Sequence, residues 1–166
     1  MQSYYPKDNN AILEINLKAL SKNYKLIKKN LKNTTECAAT VKADAYGIGA
    51  IKVVKSLIAD GCKTFFVAHL SEAVELRKIS RKIRIFCYHG IDKKNYLEFI
   101  KFNVIPIANS IDQLNLINKL NKKKKFNQGI AVHFDTGMSR LGLDENETNE
   151  FIINKSKYSS IKIDLV

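Results

Sequence analysis

Apolar residues at Leu17, Leu20, Tyr24, Ile27 and Leu31 fall three and four positions apart, with lysines on the opposite side. That rhythm predicts an amphipathic helix, preceded by an extended piece, "AILEI", at 11–15. The pattern then changes to short apolar runs that read as strands: "CAATVK" (37–42), "FFVAH" (65–69), "IRIFCYH" (83–89), "VIPIAN" (104–109), "GIAVHFD" (129–135) and "IKIDLV" (161–166). Segments of helical spacing separate them, at about 50–59, from Ser71 onward, near 94–102, at 111–121 and near 145–157. Ser110 with Gln113, and Asp144 with Glu147, have the spacing of a capping box and mark the starts of the last two helices.

Strand and helix alternate without a domain-sized linker, which predicts an α/β chain of parallel strands joined by right-handed crossovers. An open doubly wound sheet and a closed barrel both use this alternation. The first five core strands end in Lys42, His69, His89, Asn109 and Asp135, and a barrel gathers all such ends around one mouth. No GxGxxG or GxxxxGK[ST] loop follows the first strand to mark a nucleotide site in an open sheet. Six strands fall short of the eight with which a TIM-type barrel closes, typically in about 250 residues. The expectation is an incomplete (β/α)8 TIM-type barrel over residues 1–166, with about six of eight parallel strands. Residues 1–16 form an N-terminal extended segment before it. The final "IDLV" has no turn or cap after it and reads as the end of a truncated chain.

A composition of 45% hydrophobic and 27% charged residues is ordinary for a folded domain with its own core, which sets disorder aside. No run approaches the roughly 18 apolar residues of a membrane span. The start, "MQSYYPKDNN", lacks the apolar stretch of a signal peptide. The expected location is cytoplasmic, with no membrane partner. Cys37, Cys62 and Cys87 are odd in number and far apart, so they read as reduced core thiols, and no metal site is expected. A net charge of +12 raises the alternative of a basic nucleic-acid-binding module. Only four of the 28 basic residues are arginine, however, and the excess of lysine, asparagine and isoleucine reads as a compositional bias. No nucleic-acid partner is expected.

Lys42 changes the picture. An amine at a strand's C-terminal edge, inside a barrel mouth, loses its proton more readily because burial disfavours the ammonium, and a neutral amine forms an imine with an aldehyde. Among 24 lysines this alone is weak. Its neighbours add to it: Asp44 can balance a positive charge, Tyr46 sets a phenol about one turn beyond, and Gly47 and Gly49 permit tight turns before a helix whose N-terminus favours anions. A phosphorylated aldehyde cofactor suits such groups.

On these residues the sequence resembles the alanine racemase family. "VKADAYGIGA" (41–50) is similar to that family's pyridoxal-phosphate lysine motif, and "HFDTGMSRLGLD" (133–144) to its second signature, on the fifth barrel strand. "FFVAHLSEAVELR" (65–77) fits between them. The resemblance implies interconversion of L- and D-alanine, supplying D-alanine for peptidoglycan, with pyridoxal 5'-phosphate as cofactor. It makes Lys42 the catalytic, cofactor-holding lysine, Tyr46 a contact to the cofactor phosphate and Arg140 a contact to the substrate carboxylate. It also implies a homodimer.

Two departures from the family pattern follow. His133 stands where many members carry a lysine that becomes carbamylated to support the arginine. Ala131, His133 and Asp135 share one strand face, so His133 points inward, and its neutral imidazole can accept a hydrogen bond from Arg140; a plain core histidine is the other reading. The family's C-terminal β-domain, with the tyrosine that acts on the opposite face of the substrate, is missing from the 166 residues. Racemisation needs proton transfer on both faces. The isolated chain is therefore expected to be inactive or dependent on a complementary portion, the alternative being an inactive fragment or a cofactor-binding protein without racemase activity.

Overall fold

The computed structural model describes residues 11–166. Of the expected N-terminal segment 1–16, residues 1–10 lie outside the described residues, and 11–16 carry no regular secondary structure. The elements run α1 (Leu17–Lys29), β1 (Ala39–Thr40), α2 (Lys42–Tyr46), α3 (Ala50–Ala59), β2 (Thr64–Val67), α4 (Leu70–Ile79) and β3 (Arg84–Cys87). They continue with α5 (Tyr96–Lys101), β4 (Ile105–Ala108), α6 (Ile111–Lys122), β5 (Ile130–Val132), α7 (Glu145–Ile153), a short 3-10 turn (Lys155–Tyr158) and β6 (Ile163–Leu165).

All six strands are parallel and lie in the order β1-β2-β3-β4-β5-β6. That order bears out the expected barrel over the open doubly wound sheet. A doubly wound sheet reverses direction at a switch point, whereas steps that all go the same way put every crossover helix on one face and curl the sheet toward a barrel.

Strand alternation sorts the apolar side chains to match. Phe65, Val67, Ile85, Cys87, Ala108, Ile130 and Val132 join the main core beneath the helices. Their neighbours Phe86, Ile107 and Ala131 form a second, smaller core on the other face, with Phe66, Tyr88 and Ile105 packed against it. Register aligns the second set: Phe66 stands opposite Phe86, Phe86 opposite Ile105, and Ile107 opposite Ala131. The Phe66 and Phe86 rings stack at 4.9 Å, an offset aromatic pair in the position where a barrel's interior layers sit.

Several expected boundaries shift. The strand expected over 37–42 is regular only at Ala39–Thr40, because the chain turns away after Val41. The helix expected to reach residue 157 stops at Ile153, and Lys155–Tyr158 tightens into a 3-10 turn. Each expected capping box is made only in its first half: Ser110 accepts from Gln113 N–H and Asp144 from Glu147 N–H. The return partners are used elsewhere. Gln113 Oε1 accepts from Asn109 N–H, and Glu147 Oε1 crosses to Ile111 N–H at the start of α6.

Candidate functional site

After Val41, whose N–H still pairs with Phe66 O, the backbone enters an unusual conformation. Ala43, Asp44, Ala45 and Tyr46 all have positive φ, between 51° and 58°. This is a turn of left-handed helix built from L residues, which costs roughly 1–2 kcal/mol per residue because Cβ crowds the following carbonyl. Gly47 and Gly49, at φ 85° and 93°, carry the chain out of it into α3. Ala45 is buried beneath the turn, and Asp44 Oδ1 accepts from Ala50 N–H at 2.7 Å, capping α3. Asp44 therefore fastens the turn to the start of α3.

The consequence is geometric. Residues four apart in a helical turn return to one side, and Lys42 and Tyr46 both line a cleft of about 540 Å3. His133 and Arg140 line the same cleft, so all four candidate residues meet in one place. Tyr88, which the motif reading did not single out, is there too. Its ring centroid lies 5.7 Å from Lys42 Nζ, within cation–π range, and its hydroxyl is 3.4 Å from Thr40 Oγ1. The signal for it was present in the strand alternation, since Tyr88 is two residues on from the inward-facing Phe86.

His133 does point inward, and its partners fix its tautomer. The Asn109 side-chain amide donates from Nδ2 to Tyr88 O and Ile107 O, which turns Oδ1 toward His133 Nδ1 at 3.0 Å. An amide oxygen only accepts, so Nδ1 carries a proton, and in the neutral tautomer of the ring the lone pair is on Nε2. No hydrogen bond joins Arg140 to His133 among the described residues. The expected pairing is chemically prepared on the histidine side but not formed.

Arg140 rides on a loop organised by Asp135. Its carboxylate accepts the N–H groups of Gly137 and Ser139 at 2.9 and 3.0 Å, and these hold its pKa below the usual carboxylate value. Gly142 closes the loop: a Cβ there would stand 2.7 Å from Asp135 N, and its φ is 109°. The remaining strand-end groups gather nearby. His69 and His89 meet edge to face at 4.0 Å, and burial, aided by His69, lowers the pKa of His89. Among the described residues no group of three or more His, Cys, Asp or Glu side chains is placed to hold a metal ion.

Comparison with known proteins places this arrangement. The family model described as "Alanine racemase, N-terminal domain" matches residues 15–166. The chain is 36% identical over 155 residues to an alanine racemase of Rickettsia canadensis, covering 93% of this chain and 43% of the relative. It is 34% identical to one from Rickettsia typhi, covering 93% and 38%. Among solved structures, the alanine racemase of Bartonella henselae with covalently bound pyridoxal phosphate superposes with a TM-score of 0.82 at 34% identity, covering 90% of this chain and 42% of that one. The Corynebacterium glutamicum enzyme gives 0.75 at 25% identity, covering 89% and 42%. The chain thus spans about two-fifths of the length of the relatives it matches.

Proposed function

The chain belongs to the alanine racemase family, and from that premise we propose that it forms the lysine-bearing part of a pyridoxal-phosphate-dependent amino-acid racemase acting on alanine. The observation that carries the reading is the convergence of Lys42, Tyr46, His133 and Arg140 on a single cleft. Its volume, about 540 Å3, is in the range of small-molecule sites, and its lining combines one amine, phenols and a guanidinium with aromatic surface. Those donors suit an aldehyde, a phosphate and a carboxylate, so the residues fit the cofactor.

When bound, pyridoxal phosphate supplies an electron-accepting ring that stabilises negative charge at the substrate α-carbon. Lys42 Nζ is the group that would hold the cofactor's aldehyde carbon at rest, and as a free amine, once the substrate's amine has taken its place, it would move a proton at the alanine α-carbon. The Tyr46 hydroxyl would donate to the phosphate. Arg140, a planar fork that stays charged, orients the substrate carboxylate. His133 Nε2 is the acceptor available to steady that guanidinium. Lys42 serves one face of the α-carbon, and the base for the other face is assigned to a group from outside these 166 residues, in a homodimeric assembly. The same reading carries a cytoplasmic location and D-alanine supply for peptidoglycan. No helix among the described residues is long and apolar enough to cross a membrane.

Incubation with pyridoxal phosphate, borohydride reduction and peptide mapping test the reading. A pyridoxyl label on Lys42, absent after Lys42→Ala, is expected; a chain that takes no label at Lys42 refutes it. The span of about two-fifths of the relatives favours one further distinction. These residues hold the cofactor, and alanine racemisation appears only when the remaining portion of the family's fold is supplied.

A further inference from the structure

Glu72 lies in the first turn of α4, and its carboxylate folds back past the helix start. Oε2 accepts from the backbone N–H groups of Ala68 and His69, at 2.7 and 3.0 Å. That much is the service an acidic residue gives at this position in a helix, satisfying orphan donors at the positive end of the dipole. Oε1 does something different. It accepts from Ala43 N–H at 2.6 Å, 29 residues earlier in the chain, and Ala43 is the residue directly after Lys42 and the first with positive φ.

The left-handed turn needs such a partner. Its internal hydrogen bonds, Ala45 N–H to Val41 O and Gly47 N–H to Ala43 O, at 3.0 and 2.9 Å, are of the kind a turn of either hand makes. They do not offset the cost of four L residues held left-handed, of order 1–2 kcal/mol each. The first N–H groups of any helical turn also lack partners within the turn. Glu72 supplies one, as an ionised acceptor at short distance, which is the stronger class of hydrogen bond. Asp44 fastens the other end of the turn through Ala50 N–H.

We propose that Glu72 is a positioning residue for Lys42: by holding Ala43 N–H, its carboxylate commits the chain to the left-handed turn that sets Lys42 and Tyr46 on the same cleft. The clamp stands on the hydrogen bonds alone. Its chemical consequence rests on the reading of Lys42 as the cofactor lysine. Glu72→Gln keeps the size of the side chain but leaves a single carbonyl oxygen, which the two N–H donors of Ala68 and His69 hold at the α4 cap, so the amide NH2 faces Ala43 N–H and Ala43 loses its acceptor. Asn16→Ala is the matched control, because it removes a helix cap, Asn16 Oδ1 to Ala19 N–H at 3.0 Å, without touching the turn.

Two readouts separate the clamp from a merely structural role. Amide exchange at Ala43 is expected to speed up about 10- to 100-fold in Glu72→Gln, as the loss of a hydrogen bond to a charged group implies, and to stay unchanged in Asn16→Ala. Pyridoxal phosphate labelling of Lys42 is expected to slow in the first variant and not in the second. Ala43 exchange equal to that of the unmodified chain in Glu72→Gln, or labelling slowed equally by both variants, overturns the proposal. In the unmodified chain the Ala43 amide proton is expected far downfield and protected, and an ordinary shift with free exchange overturns it whether or not the variant folds. If Lys42 of the unmodified chain takes no label at all, the cofactor reading fails, while the exchange result still decides the clamp.

Discussion

Lys42 reaches the cleft because of the four residues that follow it. Ala43 is exposed and pinned at φ 51°, where a Cβ is disfavoured and glycine is at ease. Ala43→Gly is therefore expected to raise the unfolding free energy by about 0.5–1 kcal/mol, the gain at φ > 0 exceeding the extra chain entropy of glycine; urea denaturation checks it, and a loss of stability would show that the turn is unstrained. Cys87, the last residue of β3, sits at the other extreme, sealed between the sheet and its helices. Burial pushes its thiol up to about 11, and an unfolded cysteine titrates near 8.5. Between roughly pH 9 and 11 the unfolded chain has released this proton and the folded one has not, so the group's contribution to stability is lost as pH rises through that window. Slow alkylation of Cys87 at pH 8 in the folded chain, and fast alkylation in urea, are expected by mass spectrometry.

At the scale of elements, helix and strand type was readable because period 3.6 and period 2 are local properties of the chain. Tyr24 and its neighbours at helical spacing became α1, and the apolar runs became strands. Ends were less readable, since they depend on partners far away in sequence. Glu147 shows why: its spacing from Asp144 suggests a local box, but its carboxylate goes to Ile111 N–H, 36 residues distant, because that donor is nearer in the packed structure. Arg77 is a similar case. On the sequence it is one charge in a helical run, whereas folded it donates to the carbonyls of Phe102, Ser80, Ile83 and Asn103 at 2.8–3.2 Å, tying α4 to the starts of β3 and β4. Arg77→Ala is expected to cost about 1–3 kcal/mol, since carbonyls that are mostly part-buried lose their donor. Calorimetric Tm measurements check this, and a shift within error would relegate the clasp to the surface.

Across the whole molecule, 28 basic residues against 16 acidic ones leave a net charge of +12. The described ion pairs are few and exposed on at least one side, as in Lys25–Asp60 and Lys78–Glu75, so general repulsion outweighs local pairing. Screening falls within about 10 Å at 0.1 M salt, and raising sodium chloride from low ionic strength is expected to increase Tm; a fall would mean that attractive pairs dominate. Among the described residues the sheet's outer strands are β1 and β6, each hydrogen-bonded along one side only. Ile163 and Leu165 on β6 are partly exposed. Such edges are templates for pairing with another chain.

The alternation of strands and helices, the shared strand face of Ala131, His133 and Asp135, and the lysine motif were determined by the sequence alone, because apolar periodicity and short residue patterns act over a few positions. Only the tertiary structure decided that the strands follow one another in order, that Tyr88 stands beside Lys42 and that Asn109 fixes the His133 tautomer. It alone decided that Glu72 holds the residue after Lys42. Those are contacts between groups dozens of positions apart. Their partners are chosen by which donors the packed core leaves without water, and a linear pattern does not encode that choice.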